Sequence, residues 1–126
     1  MIKSSDELVF AALGGVGEIG MNLGLYGFGP RHKRQWLVVD LGISFAGPDV
    51  PGIDIIMPDI TFLDADRERI VGLVLTHGHA AHAGALGGLW PRLVSPVYTT
   101  PFTAALASAR RLGWPAALSS ACRAVT

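Results

Sequence analysis

Three of the four histidines of this chain fall within six positions, as His77-Gly78-His79-Ala80-Ala81-His82, directly behind the apolar run Ile70–Leu75. That run is far shorter than a membrane span and reads as a buried strand. A buried strand that ends in polar groups belongs to an α/β fold, whose ligands sit beyond the strand ends. Neutral imidazole is the commonest metal-ligating side chain. A lone histidine here would read as a polar turn or a cap; three at this spacing read as a metal motif. His77 and His79, two apart, share one side of an extended segment, Gly78 permits a bend between them, and His82 opens the next helix. Zinc takes roughly four ligands, so these three need partners from elsewhere.

The flanking elements follow from periodicity and breakers. Glu7–Leu13 reads as a buried strand, Met21–Gly27 as its partner, and Gly14–Gly20 as a glycine-rich turn between them. Gly29-Pro30 and Arg31-His32-Lys33-Arg34 form a solvated loop. Gln35–Asp40 is a third strand ending in an acid, and Leu41–Pro58 holds too many Gly and Pro for a regular element. Thr61–Glu68 reads as a short charged helix. Leu86, Leu89 and Leu93 give His82–Leu93 helical spacing, limited by Pro91, and Ser95–Thr99 is a short strand. Thr100-Pro101 starts a helix over Phe102–Leu112, because Thr can cap and Pro is preorganised at the first helical position. Gly113-Trp114-Pro115 ends it, and Ala116–Thr126 shows neither period and forms no placeable element. Phe10, Trp36, Phe62, Trp90 and Phe102 sit among apolar residues and read as core.

At 126 residues the chain has room for one domain. Its single cysteine, Cys122, excludes an internal disulfide framework and a thiolate-rich zinc site. All ten acids lie in residues 1–69 beside six bases, whereas residues 70–126 carry four Arg and no acid. An acid expected to bind metal there is thus missing, and composition bias in an Ala-, Gly- and Arg-rich stretch accounts for most of the deficit. A net charge of zero supplies little phosphate affinity, and Arg31, Lys33 and Arg34 read as a solvated loop. The first six residues lack the basic start and apolar stretch of a secretory signal, so the expected location is the cytoplasm, with no membrane partner.

Gly15-Val16-Gly17-Glu18-Ile19-Gly20 fits the dinucleotide fingerprint, and Asp40 lies 20 residues beyond the last of these glycines. That fingerprint needs a helix immediately after the loop. Gly24, Gly27, Gly29 and Pro30 exclude one, since each interior Gly costs about 1 kcal/mol against Ala. Nucleotide binding is set aside.

The segment THGHAAHAGAL resembles the second motif of the metallo-β-lactamase fold, usually written H-x-H-x-D-H. Together with LGGVGEIGMN (Leu13–Asn22), VVDLG (Val38–Gly42), PGIDIIMPDI (Pro51–Ile60) and PVYTTPFTAAL (Pro96–Leu106), it is similar to the start of the ribonuclease J family. The resemblance covers about residues 6–112. It implies a β-CASP ribonuclease with two zinc ions, acting on single-stranded RNA as a 5′-exonuclease and endonuclease. The implied catalytic domain is an αββα sandwich interrupted by the β-CASP insert. These residues would then form the incomplete N-terminal half of that sandwich, followed by an unplaced tail at 113–126 that reads as truncated or out of frame.

By the same resemblance, His77 and His79 match ligands of the first zinc, and His82 matches a ligand of the second. Asp40 matches the acid that orients the histidines without binding metal itself. The family carries Asp where this sequence has Ala81, so a ligand of the second zinc is lost. Further family ligands come from segments beyond this length. The expectation is at most one weakly held zinc, little or no RNA binding, and no complete catalytic set. Two alternatives stand beside it. One is another hydrolase of the same fold, acting on a thioester or lactam, against which GGVGEIG and GIDIIMPDI argue. The other is a non-catalytic interaction module: half a sandwich bares an apolar sheet face, a route to self-association.

Overall fold

The computed structural model describes residues 2–109 and 116–125. In chain order the strands are β1 (Glu7–Gly14), β2 (Leu23–Gly29), β3 (Gln35–Val39), β4 (Ser44–Phe45), β5 (Ile55–Ile56), β6 (Ile70–Val74), β7 (Val97–Thr99) and β8 (Cys122–Ala124). The helices are α1 (Thr61–Asp64), α2 (Ala80–Ala83), α3 (Leu86–Leu93), α4 (Pro101–Ala109) and α5 (Ala116–Ala121). A 3-10 turn, Arg67–Arg69, leads into β6.

Six strands form one sheet in the order β1-β2-β3-β6-β7-β8, and β4 pairs with β5 apart from it. The β1–β2–β3 part is an antiparallel meander; β3, β6, β7 and β8 run parallel. This is the α/β class read from the sequence. Alternation along β2 and β3 sends Leu23, Leu25, Trp36 and Val38 to one face, where Leu73 and Val97 join them. Leu86, Leu89, Trp90 and Leu93 recur at the i, i+3, i+4 and i+7 positions of α3 and are all buried in that same core. Each such buried side chain contributes about 1.5–3 kcal/mol of transfer free energy.

The opposite face of the meander is bare. Leu8 stands opposite Phe28 and Phe10 opposite Tyr26 in register, and all four are exposed, with the Phe10 and Tyr26 rings 5.1 Å apart. One helical layer on one sheet is half of an αββα sandwich. Of the five aromatics expected in the core, Trp36 and Trp90 are buried, while Phe10, Phe62 and Phe102 are exposed. Phe10 lies on the bare face. Phe62 packs edge-on to Trp36 at 5.5 Å from the outside.

Three further expectations need correction. The expected helix His82–Leu93 is two helices, because the carbonyls of Ala80, Ala81 and His82 accept backbone N–H groups of Ile43, Asn22 and Leu41. The chain restarts as α3 after Ala85, whose N–H donates to the Leu41 carbonyl at 2.9 Å. The Gly- and Pro-rich stretch 41–58 is not wholly irregular: β4 and β5 form a two-residue ladder, Ser44 opposite Ile56 and Phe45 opposite Ile55. Residues 116–126, assigned to no element above, contain α5 and β8. Cys122, Arg123 and Ala124 pair with Val97, Tyr98 and Thr99 on the free edge of β7, and Leu118 is fully buried. The expected helix end at Gly113-Trp114-Pro115 lies outside the described residues. Thr100 caps α4 as expected, its Oγ1 accepting the Thr103 N–H at 3.2 Å.

Candidate metal centre

Asp40 follows the last residue of β3. Its N–H still donates to the Val74 carbonyl at 2.8 Å, so it stays tied to β6. Its φ of 66° is left-handed, a conformation that costs an ordinary L-residue about 1–2 kcal/mol and that Asp tolerates better than most. That turn buries the carboxylate at 5% exposure and aims it across the end of β6. There it accepts the Thr76 N–H at 2.8 Å, the Thr76 hydroxyl at 2.9 and 3.0 Å, and the ring nitrogen Nδ1 of His82 at 2.7 Å.

These bonds set which nitrogen donates in two rings. A carboxylate only accepts, so Nδ1 of His82 is the donor, and the neutral ring bears its lone pair on Nε2. The Thr76 hydroxyl spends its one hydrogen on Asp40, so His77 Nδ1, 2.9 Å away, donates to it and leaves Nε2 with the lone pair. Asp40 thus orients His82 directly and His77 through Thr76. The resemblance assigned an orienting role to Asp40; Thr76 was not singled out, and its only signal is its position just before His77.

The three imidazoles lie together. The His77 ring centroid is 4.1 Å from that of His82 and 4.8 Å from that of His79. His79 is exposed and its backbone opens α2, its carbonyl accepting the N–H groups of His82 and Ala83. Ala81 lies in the same turn, where its carbonyl accepts the N–H of Asn22 at 3.0 Å and the Asn22 side-chain amide at 3.1 Å. Gly42 must be a glycine, because a Cβ there would stand 1.7 Å from the Ala81 carbonyl oxygen. Gly78 faces Leu106 of α4, which packs over the histidine loop.

Among the described residues no group of three or more His, Cys, Asp or Glu side chains is arranged to hold a metal ion. The rings of His77 and His82 lie tilted at 46° to one another, and position 81 offers only a methyl group. Burial raises the Cys122 thiol above its ordinary value, and β8 holds it in the sheet.

An acid at the end of one strand, oriented histidines at the end of the next, and a helical layer on one face define a class. The chain belongs to the Metallo-beta-lactamase superfamily, whose family model matches residues 26–120. Within that class the similarity is to ribonuclease J. The Sinorhizobium meliloti ribonuclease J is 55% identical over 110 residues, covering 87% of this chain and 20% of that protein. The Mycobacterium tuberculosis ribonuclease J is 40% identical over 104 residues, covering 82% and 18%. Ribonuclease J 1 of Streptococcus pyogenes is 36% identical over 105 residues, covering 83% and 18%. The chain thus spans about a fifth of the length of these curated relatives, in their N-terminal part. A metallo-beta-lactamase from Pontibacter korlensis superposes with a TM-score of 0.42 at 20% identity, over 92% of this chain and 49% of that one. Superfamily membership implies metal dependence. Among the described residues no helix is long and apolar enough to cross a membrane.

Proposed function

We propose that this chain carries the N-terminal part of a ribonuclease J-type hydrolase of single-stranded RNA, with its zinc site impaired at Ala81. The observation that supports this reading best is the Asp40–His82 pair at 2.7 Å, with the His77 ring tilted beside it and a methyl at position 81. By the resemblance, His77 and His79 serve one ion and His82 a second, to which position 81 gives an aspartate in the family. Two-metal phosphodiester hydrolysis needs both ions held about 3.5–4 Å apart. With Ala81 the second ion is left with His82 alone among these residues. The chain therefore holds at most one zinc, weakly, and does not turn over RNA at a native-like rate. A net charge of zero adds little affinity for RNA phosphates.

A second reading, a non-catalytic module that associates through the sheet, is favoured by one observation. Leu8, Phe10, Tyr26 and Phe28 form a contiguous exposed apolar patch on β1 and β2, and such patches mark association sites.

Incubation of the purified chain with single-stranded 5′-phosphorylated RNA and zinc tests the first reading. The double variant His77→Ala/His79→Ala serves as the background. Equal, background-level turnover is expected. Turnover by the wild-type chain that the double variant abolishes overturns the claim of impairment.

A further inference from the structure

The glycine-rich loop and the residue that ends it, Asn22, have no part in the reading above. Asn22, just before β2, nevertheless reaches the histidine motif. Its Nδ2 lies 3.1 Å from the Ala81 carbonyl oxygen and 3.4 Å from His82 Nε2. With Nδ1 donating to Asp40, the neutral His82 ring presents the Nε2 lone pair to that amide. A side-chain amide has two hydrogens, and both have a partner here.

The surroundings fix that amide in place. The Asn22 N–H donates to the Ala81 carbonyl at 3.0 Å, and its own carbonyl accepts the Gly42 N–H at 3.0 Å. Met21, with a left-handed φ of 52°, turns the chain just before it and donates its N–H to the Ile43 carbonyl at 2.9 Å. On the other side Gly15, at φ 86°, closes over the amide: a Cβ there would meet Asn22 Oδ1 at 2.4 Å. The loop that resembled a nucleotide fingerprint is thus the seat of one side chain.

We propose that Asn22 is a positioning residue whose amide bridges the Ala81 carbonyl and His82 Nε2, so that a metal ion reaching His82 must first displace it. This rests on the reading of the histidines as a metal motif. The amide holds His82 in a state already satisfied at both ring nitrogens without metal, and the loss of Asp at position 81 removes the group that would draw an ion in against it.

The test is the two-bond 1H–15N spectrum of the full chain labelled in its histidine rings, recorded at one fixed pH while zinc(II) is added. Wild type is compared with Asn22→Ala and with Asn22→Asp, which keeps the size, removes the donor, and serves where the alanine fails to fold. Without zinc, Asn22→Ala should move the His82 Nε2 resonance and leave Nδ1 in place. Asn22→Ala should lower the zinc concentration at half-shift by about two- to tenfold, the worth of one net hydrogen bond; Asn22→Asp should lower it further. A merely structural role would move neither Nε2 alone nor the zinc midpoint downward. An unmoved Nε2 in folded Asn22→Ala, or an equal or higher zinc midpoint, overturns the proposal while leaving the metal reading intact. No response of any histidine to zinc in all three proteins overturns both.

Discussion

Replacing Asp40 by Asn keeps the size and the tolerance of a left-handed φ, and removes one acceptor. The amide oxygen can still accept the Thr76 N–H, now at 2.8 Å. The amide nitrogen then faces His82 Nδ1 across the 2.7 Å gap, donor against donor. His82 escapes only by moving its proton to Nε2, where it meets the Asn22 amide at 3.4 Å, again donor against donor. Either way one charge-assisted hydrogen bond is lost, worth about 1.5–3 kcal/mol. That is a large share of the roughly 5–15 kcal/mol by which domains are stable. With a urea slope of about 1–3 kcal/mol per M, the midpoint should fall by roughly 1 M with the slope unchanged. The fluorescence of the buried Trp36 and Trp90 reports the transition. A stability within about 0.5 kcal/mol of wild type, the usual range of an indifferent surface substitution, would refute the hydrogen-bond network drawn here.

Gly42→Ala should unfold the chain or release α2, because the new methyl collides with backbone at 1.7 Å and no flexible side chain can give way. Amide exchange of His82 and Ala83 should rise with it, and normal protection would contradict the clash. Val94, half-exposed to solvent, ends α3 with a left-handed φ of 47°, which a β-branched residue tolerates poorly. Val94→Asn should raise stability by about 1 kcal/mol, read as a higher urea midpoint. Ala81→Asp should tighten zinc, read by competition with a chelator, yet leave RNA turnover at background; activity from that single change would refute the impaired-site reading. Because burial raises the Cys122 thiol, its contribution favours the folded state below the ordinary value of 9.0 and is lost as pH rises through the raised value. Alkylation of the folded chain at pH 8 should accordingly be slower than that of the urea-unfolded chain.

Where one physical signal dominated, the sequence was enough. Ile70–Val74 needed only its apolar run, β1 its apolar stretch between breakers, β2 its alternation, and α3 its 3-to-4 spacing of Leu. The three histidines stood out because residue type and spacing at a strand end coincide, whereas Asp40 was assigned by the resemblance. The hidden parts depend on partners distant in sequence. β8 is a strand because β7 has a free edge; Cys122-Arg123-Ala124 has no pattern of its own. α2 parts from α3 because Asn22, Leu41 and Ile43 take its carbonyls, which no local periodicity encodes. Phe10 looked like core because it sits in an apolar run read as a buried strand, but no residue of β1 is fully buried, since an apolar run does not say which face is covered. Asn22 stood in plain view at the end of GGVGEIGMN, yet its role requires a contact sixty residues away.

Zinc per chain, by elemental analysis of protein purified without a histidine tag, tests the central claim most directly. The impaired site predicts no more than one zinc per chain, removed by dialysis against a mild chelator. Two zinc ions per chain that survive such dialysis would mean that the site is complete despite Ala81, and would contradict the account.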